Sequence, residues 1–212
     1  LLYALNLQLI KKIQNESNVT SDKPVCLIID DTDAPKTGNH TEMIGRVWSH
    51  VQQKSILGFK CLTLLLSDGT SQLMLDFSLH GEMGKKKDRI QGLTDKERNA
   101  RFTENHKGQA VEERINEYMM SKIDRAIEMV KYAIKRGVRF DYLLVDSWFT
   151  NADFVRLITS RHIKCQLLGM IKLGKTRYQT EYGNLNAKEI IKKLQTKKLC
   201  KHNATLKCTY CT

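Results

Sequence analysis

The stretch VCLIIDDTD, residues 25–33, is a continuous apolar run that ends abruptly in a cluster of carboxylates. Val25 to Ile29 has the look of a central strand buried on both faces, and Asp30-Asp31-Thr32-Asp33 is what its carboxyl end looks like when it opens onto a polar site. Charges crowded at the rim of a core are costly unless something uses them. The same pattern returns at residues 140–146, where the run from Phe140 to Val145, apolar apart from Asp141, is followed by Asp146, leading into Ser147-Trp148-Phe149-Thr150.

Working outward, residues 34–55 carry Pro35, Gly38 and Gly45 and read as a long loop with a short strand near Gly45-Arg46-Val47-Trp48. Leu57 to Leu66 and Gln72 to Leu79 are strands joined through Asp68-Gly69, the strongest short hairpin signal, so they are expected to be antiparallel neighbours. Val111, Ile115, Met119, Ile123, Ile127, Val130 and Ile134 recur at helical spacing, which predicts one long amphipathic helix over 111–134 with Gly137 as its stop. A short helix over 151–161 capped by Asn151, a strand over 165–171 and a helix over 187–194 complete the pattern. Upstream, Leu5, Leu7, Ile10 and Ile13 mark a helix over residues 3–15, followed by a polar linker to Pro24.

The order strand, strand, strand, helix, strand, helix, strand specifies an α/β fold with a mixed sheet. A right-handed crossover through the long helix returns the fourth strand parallel to the first, on the edge the hairpin leaves free. That arrangement sets Asp31 and Asp146 at adjacent strand ends. Two carboxylates so placed repel each other, and a divalent cation is the usual remedy; Mg²⁺, or Mn²⁺, suits because it takes hard oxygen ligands and keeps several waters. Such ions activate an attacking water or 3′-hydroxyl and stabilise the leaving oxygen of a phosphodiester.

Three segments carry a resemblance: IIDDTDAPKTG (28–38), EMIGRVWSHV (42–51) and LLVDSWFTN (143–151). In this order, over most of residues 25–175, they resemble bacterial insertion-sequence transposases of the cut-and-paste DDE type. The resemblance implies an RNase H-like catalytic core, metal-dependent hydrolysis and strand transfer at transposon ends, and DNA as partner, with a homodimer in the DNA complex left open. It maps the two metal-binding, catalytic aspartates onto Asp31 and Asp146, with Asp30 as the alternative to Asp31. Such transposases also need a glutamate on a later helix. Arg177, Glu181 and Lys188 have compatible spacing, but Gly174 stands where a tyrosine belongs, so Glu181 is a weak candidate and the glutamate is expected beyond residue 212.

Composition agrees with a DNA partner. The 212 residues hold 35 Lys and Arg against 23 Asp and Glu, a net charge of +12 that favours polyanions. Residues 84–109 contribute eight of those cations against four acids. Within this expected basic loop, Lys85, Lys86, Lys87, Arg89, Arg98 and Arg101 are candidate phosphate contacts. No apolar run reaches the ~18 residues a membrane span needs, and Cys26, Cys61 and Cys165, set in apolar strand-like runs, fit a reducing cytoplasm; the resemblance implies a bacterial one, with the protein on nucleoid DNA. The chain starts at Leu1 and stops at Cys211-Thr212, so it reads as a piece of something longer. The domain expectation is a helix and linker over 1–24, a catalytic core over 25–175 and the start of a basic insertion over 176–212.

Weaker signals have bland explanations. Cys200, His202, Cys208 and Cys211 include one zinc half-site, Cys208-x-x-Cys211, but the other half is irregular and ordinary reduced residues explain them better. His50 and His80 suit hydrogen-bonded loop or strand positions, and Trp48, Trp148 and Phe149 suit core packing over base stacking. Two other functions remain open on sequence: a non-catalytic DNA-binding remnant, and a receiver-like phospho-acceptor domain, against which the direct hairpin argues.

Overall fold

The computed structural model describes residues 2–17, 23–38, 41, 43–82, 109–159 and 163–196. The chain divides into two compact units, residues 1–142 and 143–212. The candidate phosphate contacts at 85–101 and the cysteine and histidine cluster at 200–211 lie outside the described residues.

In the first unit, helix α1 (Leu2–Ser17) precedes strands β1 (Cys26–Pro35), β2 (Gly45–Ser49), β3 (Lys54–Ser67) and β4 (Gln72–His80). β3 is the spine. β1 pairs antiparallel along one edge from Ser67 to Gly58, while β2 takes the first part of the other edge and β4 the rest. The β3–β4 hairpin closes at Asp68, whose Oδ1 accepts the N–H groups of Thr70 and Ser71 at 2.8 and 2.6 Å. Those bonds hold the Asp68 carboxyl below its ordinary value. Leu27 and Ile29 on β1 face Leu66 and Leu64 on β3, and all four are buried.

Two helices follow, α2 (Gln109–Met119) and α3 (Lys122–Lys135). The expected single helix over 111–134 is broken at Met120-Ser121. Ser121 is extended at φ −65°, ψ 144°, and its Oγ accepts the Asp124 N–H at 3.1 Å, so it caps a new helix. Apolar spacing runs straight through this point because a cap changes the backbone without interrupting the periodicity. Ala126, Met129, Val130 and Ala133 form the buried stripe of α3, which packs on β3 and β4. Ser121→Ala should lower the unfolding free energy by about 1 kcal/mol, read from a urea titration; no change would mean that the helix does not restart there.

Strand β5 (Tyr142–Val145) begins at the end of the first unit. The N–H groups of Asp141 and Tyr142 both donate to the Val25 carbonyl, at 2.8 and 3.2 Å, and Val25 N–H donates back to Asp141 Oδ2 at 2.8 Å. Those bonds place Asp141 and Tyr142, at the end of the first unit, beside Val25 at the start of β1. The pairs around β3 are antiparallel, within a mixed sheet flanked by helices. That is the α/β arrangement expected of an RNase H-like core, and it rules out the all-parallel sheet of a receiver.

One expectation is corrected. The first strand does not end at the carboxylates: β1 continues through Asp30, Asp31 and Asp33 to Pro35, paired throughout with β3. The ladder survives because Lys60 stands directly across from Asp33 and neutralises it.

In the second unit, Asp146 directly follows β5, and after it come helix α4 (Ala152–Thr159), strand β6 (Gln166–Gly169), a hairpin of β7 (Arg177–Thr180) and β8 (Gly183–Asn186), and helix α5 (Ala187–Thr196). Asn151 caps α4 as expected, its Oδ1 accepting the N–H groups of Asp153 and Phe154, both at 3.0 Å. β6 joins β5, with Met170 N–H donating to the Val145 carbonyl. Tyr178, Ala187 and Ile190 form a small core of their own beneath the hairpin. Among the described residues no helix is long and apolar enough to cross a membrane.

Candidate metal-binding carboxylates

Alternation along β1 sorts its three aspartates. Leu27, Ile29, Asp31 and Asp33 share one face, and Asp30 is on the other. Asp30 is exposed, and its Oδ1 accepts the N–H of the next residue at 2.8 Å. Asp31 extends the buried row, opposite Leu62. Its Oδ2 accepts a hydrogen bond from Lys122 Nζ at 2.7 Å, and both side chains are about four-fifths buried, at 18% and 21% exposure. Lys122 is the first residue of α3, so the helix restart at Ser121 is what carries this ammonium to Asp31.

The next pair in the row is tighter. Lys60 Nζ donates to Asp33 Oδ1 at 2.5 Å, with the lysine side chain only 5% exposed. Burial pushes the Asp33 carboxyl up, but hydrogen bonds from Lys60 and Ser49 and the charges of Lys60 and His50 outweigh it and leave it below its ordinary value. His80 faces Lys60 from β4, is buried, and lies 3.2 Å from the Met120 carbonyl through Nδ1. Asp76, also on β4, shows the opposite balance: burial raises its carboxyl more than Arg125, 3.4 Å away, lowers it.

Asp146 is held by a turn of its own. Its Oδ1 accepts the N–H groups of Trp148 and Phe149 at 2.8 and 3.1 Å, and its carbonyl accepts Thr150 Oγ1 at 2.8 Å. Both turn bonds to the carboxylate fall on one oxygen, so Oδ2 is outside the turn's bonding. Gly169 on β6 backs this turn so closely that a Cβ there would run into Thr150 Oγ1. Phe149 is fully buried and meets Phe154 edge to face at 6.2 Å, as core packing predicts. The two tryptophans depart from that prediction. Trp48 and Trp148 are 41% and 51% exposed, and Lys172 Nζ lies 4.9 Å from the Trp148 ring centroid.

Asp31 belongs to the first unit and Asp146 to the second. Glu181 is exposed in the β7–β8 turn, not on a helix, so the spacing of Arg177, Glu181 and Lys188 has no helical meaning. Lys122 and Lys60 are the charged partners that the sequence reading missed. For Lys122 a signal existed in Ser121-x-x-Asp124, a helix-start pattern that resets the register of everything after it.

One family model matches the chain over most of its length. The profile described as DDE superfamily endonuclease matches residues 5–167 of the chain. Among solved structures, the piggyBac transposase synaptic complex with hairpin DNA is similar at 16% identity and a TM-score of 0.36, over 71% of this chain and 23% of that one. The Drosophila P element transposase strand transfer complex is similar at 8% identity and a TM-score of 0.28, over 84% of this chain and 35% of that one. The chain thus spans about a quarter to a third of these proteins. No curated protein matches it.

Proposed function

The chain belongs to the DDE superfamily endonucleases, and from that premise we propose that it is the metal-binding part of a DNA transposase, with Asp31 and Asp146 as ligands. The reaction in this reading is phosphodiester hydrolysis at transposon ends followed by strand transfer. The observation that carries it is the setting of Asp31, a carboxylate on the buried face of β1 whose oxygen is already bonded to a cationic group. Asp30, exposed on the other face, lacks that setting.

The donor set suits a hard divalent ion, Mg²⁺ or Mn²⁺, because it consists of carboxylate oxygens. Among the described residues no group of three or more His, Cys, Asp and Glu is arranged to hold a metal, so this reading names two protein ligands and no third. When bound, the ion would supply Lewis-acid activation of the attacking hydroxyl and charge stabilisation at the leaving oxygen. The protein's part is to fix the carboxylates: the β1–β3 ladder orients Asp31, and the turn at 146–150 orients Asp146 by committing its other oxygen. Lys85, Lys86, Lys87, Arg89, Arg98 and Arg101 are assigned to phosphate contacts, each of which would steepen the salt dependence of DNA binding.

The test is Mn²⁺ binding, followed by the loss of the free-ion electron paramagnetic resonance signal. Asparagine keeps the size of aspartate and one carbonyl oxygen, so Asp146→Asn retains the acceptor of its turn while removing the charge. Asp31→Asn and Asp146→Asn should each weaken binding about tenfold or more, equivalent to ~1.4 kcal/mol. Wild-type affinity in both variants would dispose of the proposal.

A further inference from the structure

We infer that Lys122 is a placeholder cation for Asp31, holding the carboxylate in place when no metal is bound and giving it up when the ion arrives. The inference rests on Asp31 being a metal ligand and adds a competitor to it. Asp31 Oδ2 and Lys122 Nζ are 2.7 Å apart, and the two side chains are 18% and 21% exposed. A carboxylate this far from bulk water needs a counter-charge, and the ammonium provides one.

The lysine is an odd occupant of its position on any purely local account. It is the first residue of α3, where the partial positive charge of the helix N-terminus disfavours a cation. Its neighbour Asp124, in the first turn, has the sign that such a position prefers. Asp31 offsets the misplaced charge of Lys122. The helix restart at Ser121, fixed by its hydrogen bond to Asp124 N–H, makes that meeting reproducible.

An ammonium at hydrogen-bond distance and a divalent ion at coordination distance cannot both sit on one carboxylate oxygen without strong mutual repulsion. Asp31 has a second oxygen; the ion takes Oδ2, alone or together with Oδ1, and in either case displaces the ammonium bonded there. Lys122 then makes metal binding weaker than the carboxylates alone would allow.

The experiment compares the wild-type chain with Lys122→Met and Lys122→Arg, titrated with MnCl₂ and followed by both electron paramagnetic resonance and thermal unfolding. Without metal, Lys122→Met should melt below wild type, because Asp31 loses its partner. With Mn²⁺ it should bind about tenfold more tightly than wild type and gain more in melting temperature. Lys122→Arg keeps a cation beside Asp31 and should retain weak, wild-type-like binding. A merely structural lysine would lower the metal-free melting temperature and leave Mn²⁺ affinity unchanged or weaker in Lys122→Met, which overturns the inference. Asp31→Asn separates the two claims. If it loses binding while Lys122→Met gains none, only the placeholder role fails; if it binds Mn²⁺ as wild type does, the ligand assignment fails and the placeholder role with it.

Discussion

Asp33→Ala is expected to cost about 3 kcal/mol of stability at neutral pH, a larger loss than a surface ion pair would give. The reason is the partner left behind. Lys60 is 4% exposed in mid-strand, and without Asp33 its ammonium has lost the carboxylate 2.5 Å away that neutralises it. The pair also sets a pH dependence. Because the folded Asp33 carboxyl lies below its ordinary value, it takes up its proton at lower pH than in the unfolded chain. Its contribution is fully present above the unfolded carboxylate value of about 3.9 and is lost as pH falls from there through the folded value. Asp76 has the opposite sign, since burial raises its carboxyl and acid relieves the penalty of its charge. Urea midpoints measured from neutral pH down to about pH 3 should therefore fall in the wild type and fall less in Asp33→Ala. Equal midpoints at neutral pH, or equal acid sensitivity, would show that the pair does not stabilise the fold.

Much of the fold was legible because it rests on local rules. The apolar run before Asp30, the Asp68-Gly69 hairpin and the Asn151 cap each follow from a few adjacent residues, and the crossover rule placed the start of β5 beside β1 without further information. What could not be read depends on partners distant in sequence. β1 continues through its carboxylates because Lys60, 27 positions away, lies opposite Asp33, and no pattern within residues 30–35 announces that. The break between α2 and α3 was hidden for another reason: the apolar periodicity is shared by both helices, and only the capping serine marks the restart. Missing that break meant missing Lys122, 91 positions from Asp31 in sequence and bonded to it in the fold. Both tryptophans were misjudged because the aromatic content of a segment does not say which face of a turn it occupies.

Gly58→Ala should be the most damaging single methyl group in the first unit, at about 3–5 kcal/mol. Gly58 is the residue of β3 that pairs with Pro35 on one side and Gly45 on the other, so three strands meet at it. Its φ of +155° is one that L side chains rarely adopt, and a Cβ there would overlap the Ala34 carbonyl oxygen and stand 2.9 Å from Pro35 Cα. Those are backbone atoms, which cannot rotate away as a side-chain tip can, so the end of β1 must move off β3. Gly38 separates strain from collision. It also has a positive φ, +85°, but nothing lies within 4 Å of its missing Cβ, so Gly38→Ala should cost only about 1 kcal/mol. The difference between the two variants in urea unfolding isolates the close approach of β1 and β3. Because Asp33 is two residues and Asp31 four residues before Pro35 on the same strand, displacing that end should also weaken the Lys60–Asp33 bond, and with it the acid sensitivity described above. If Gly58→Ala proved no worse than Gly38→Ala and kept the full acid response, the strand that carries both carboxylates would not be clamped where this register clamps it.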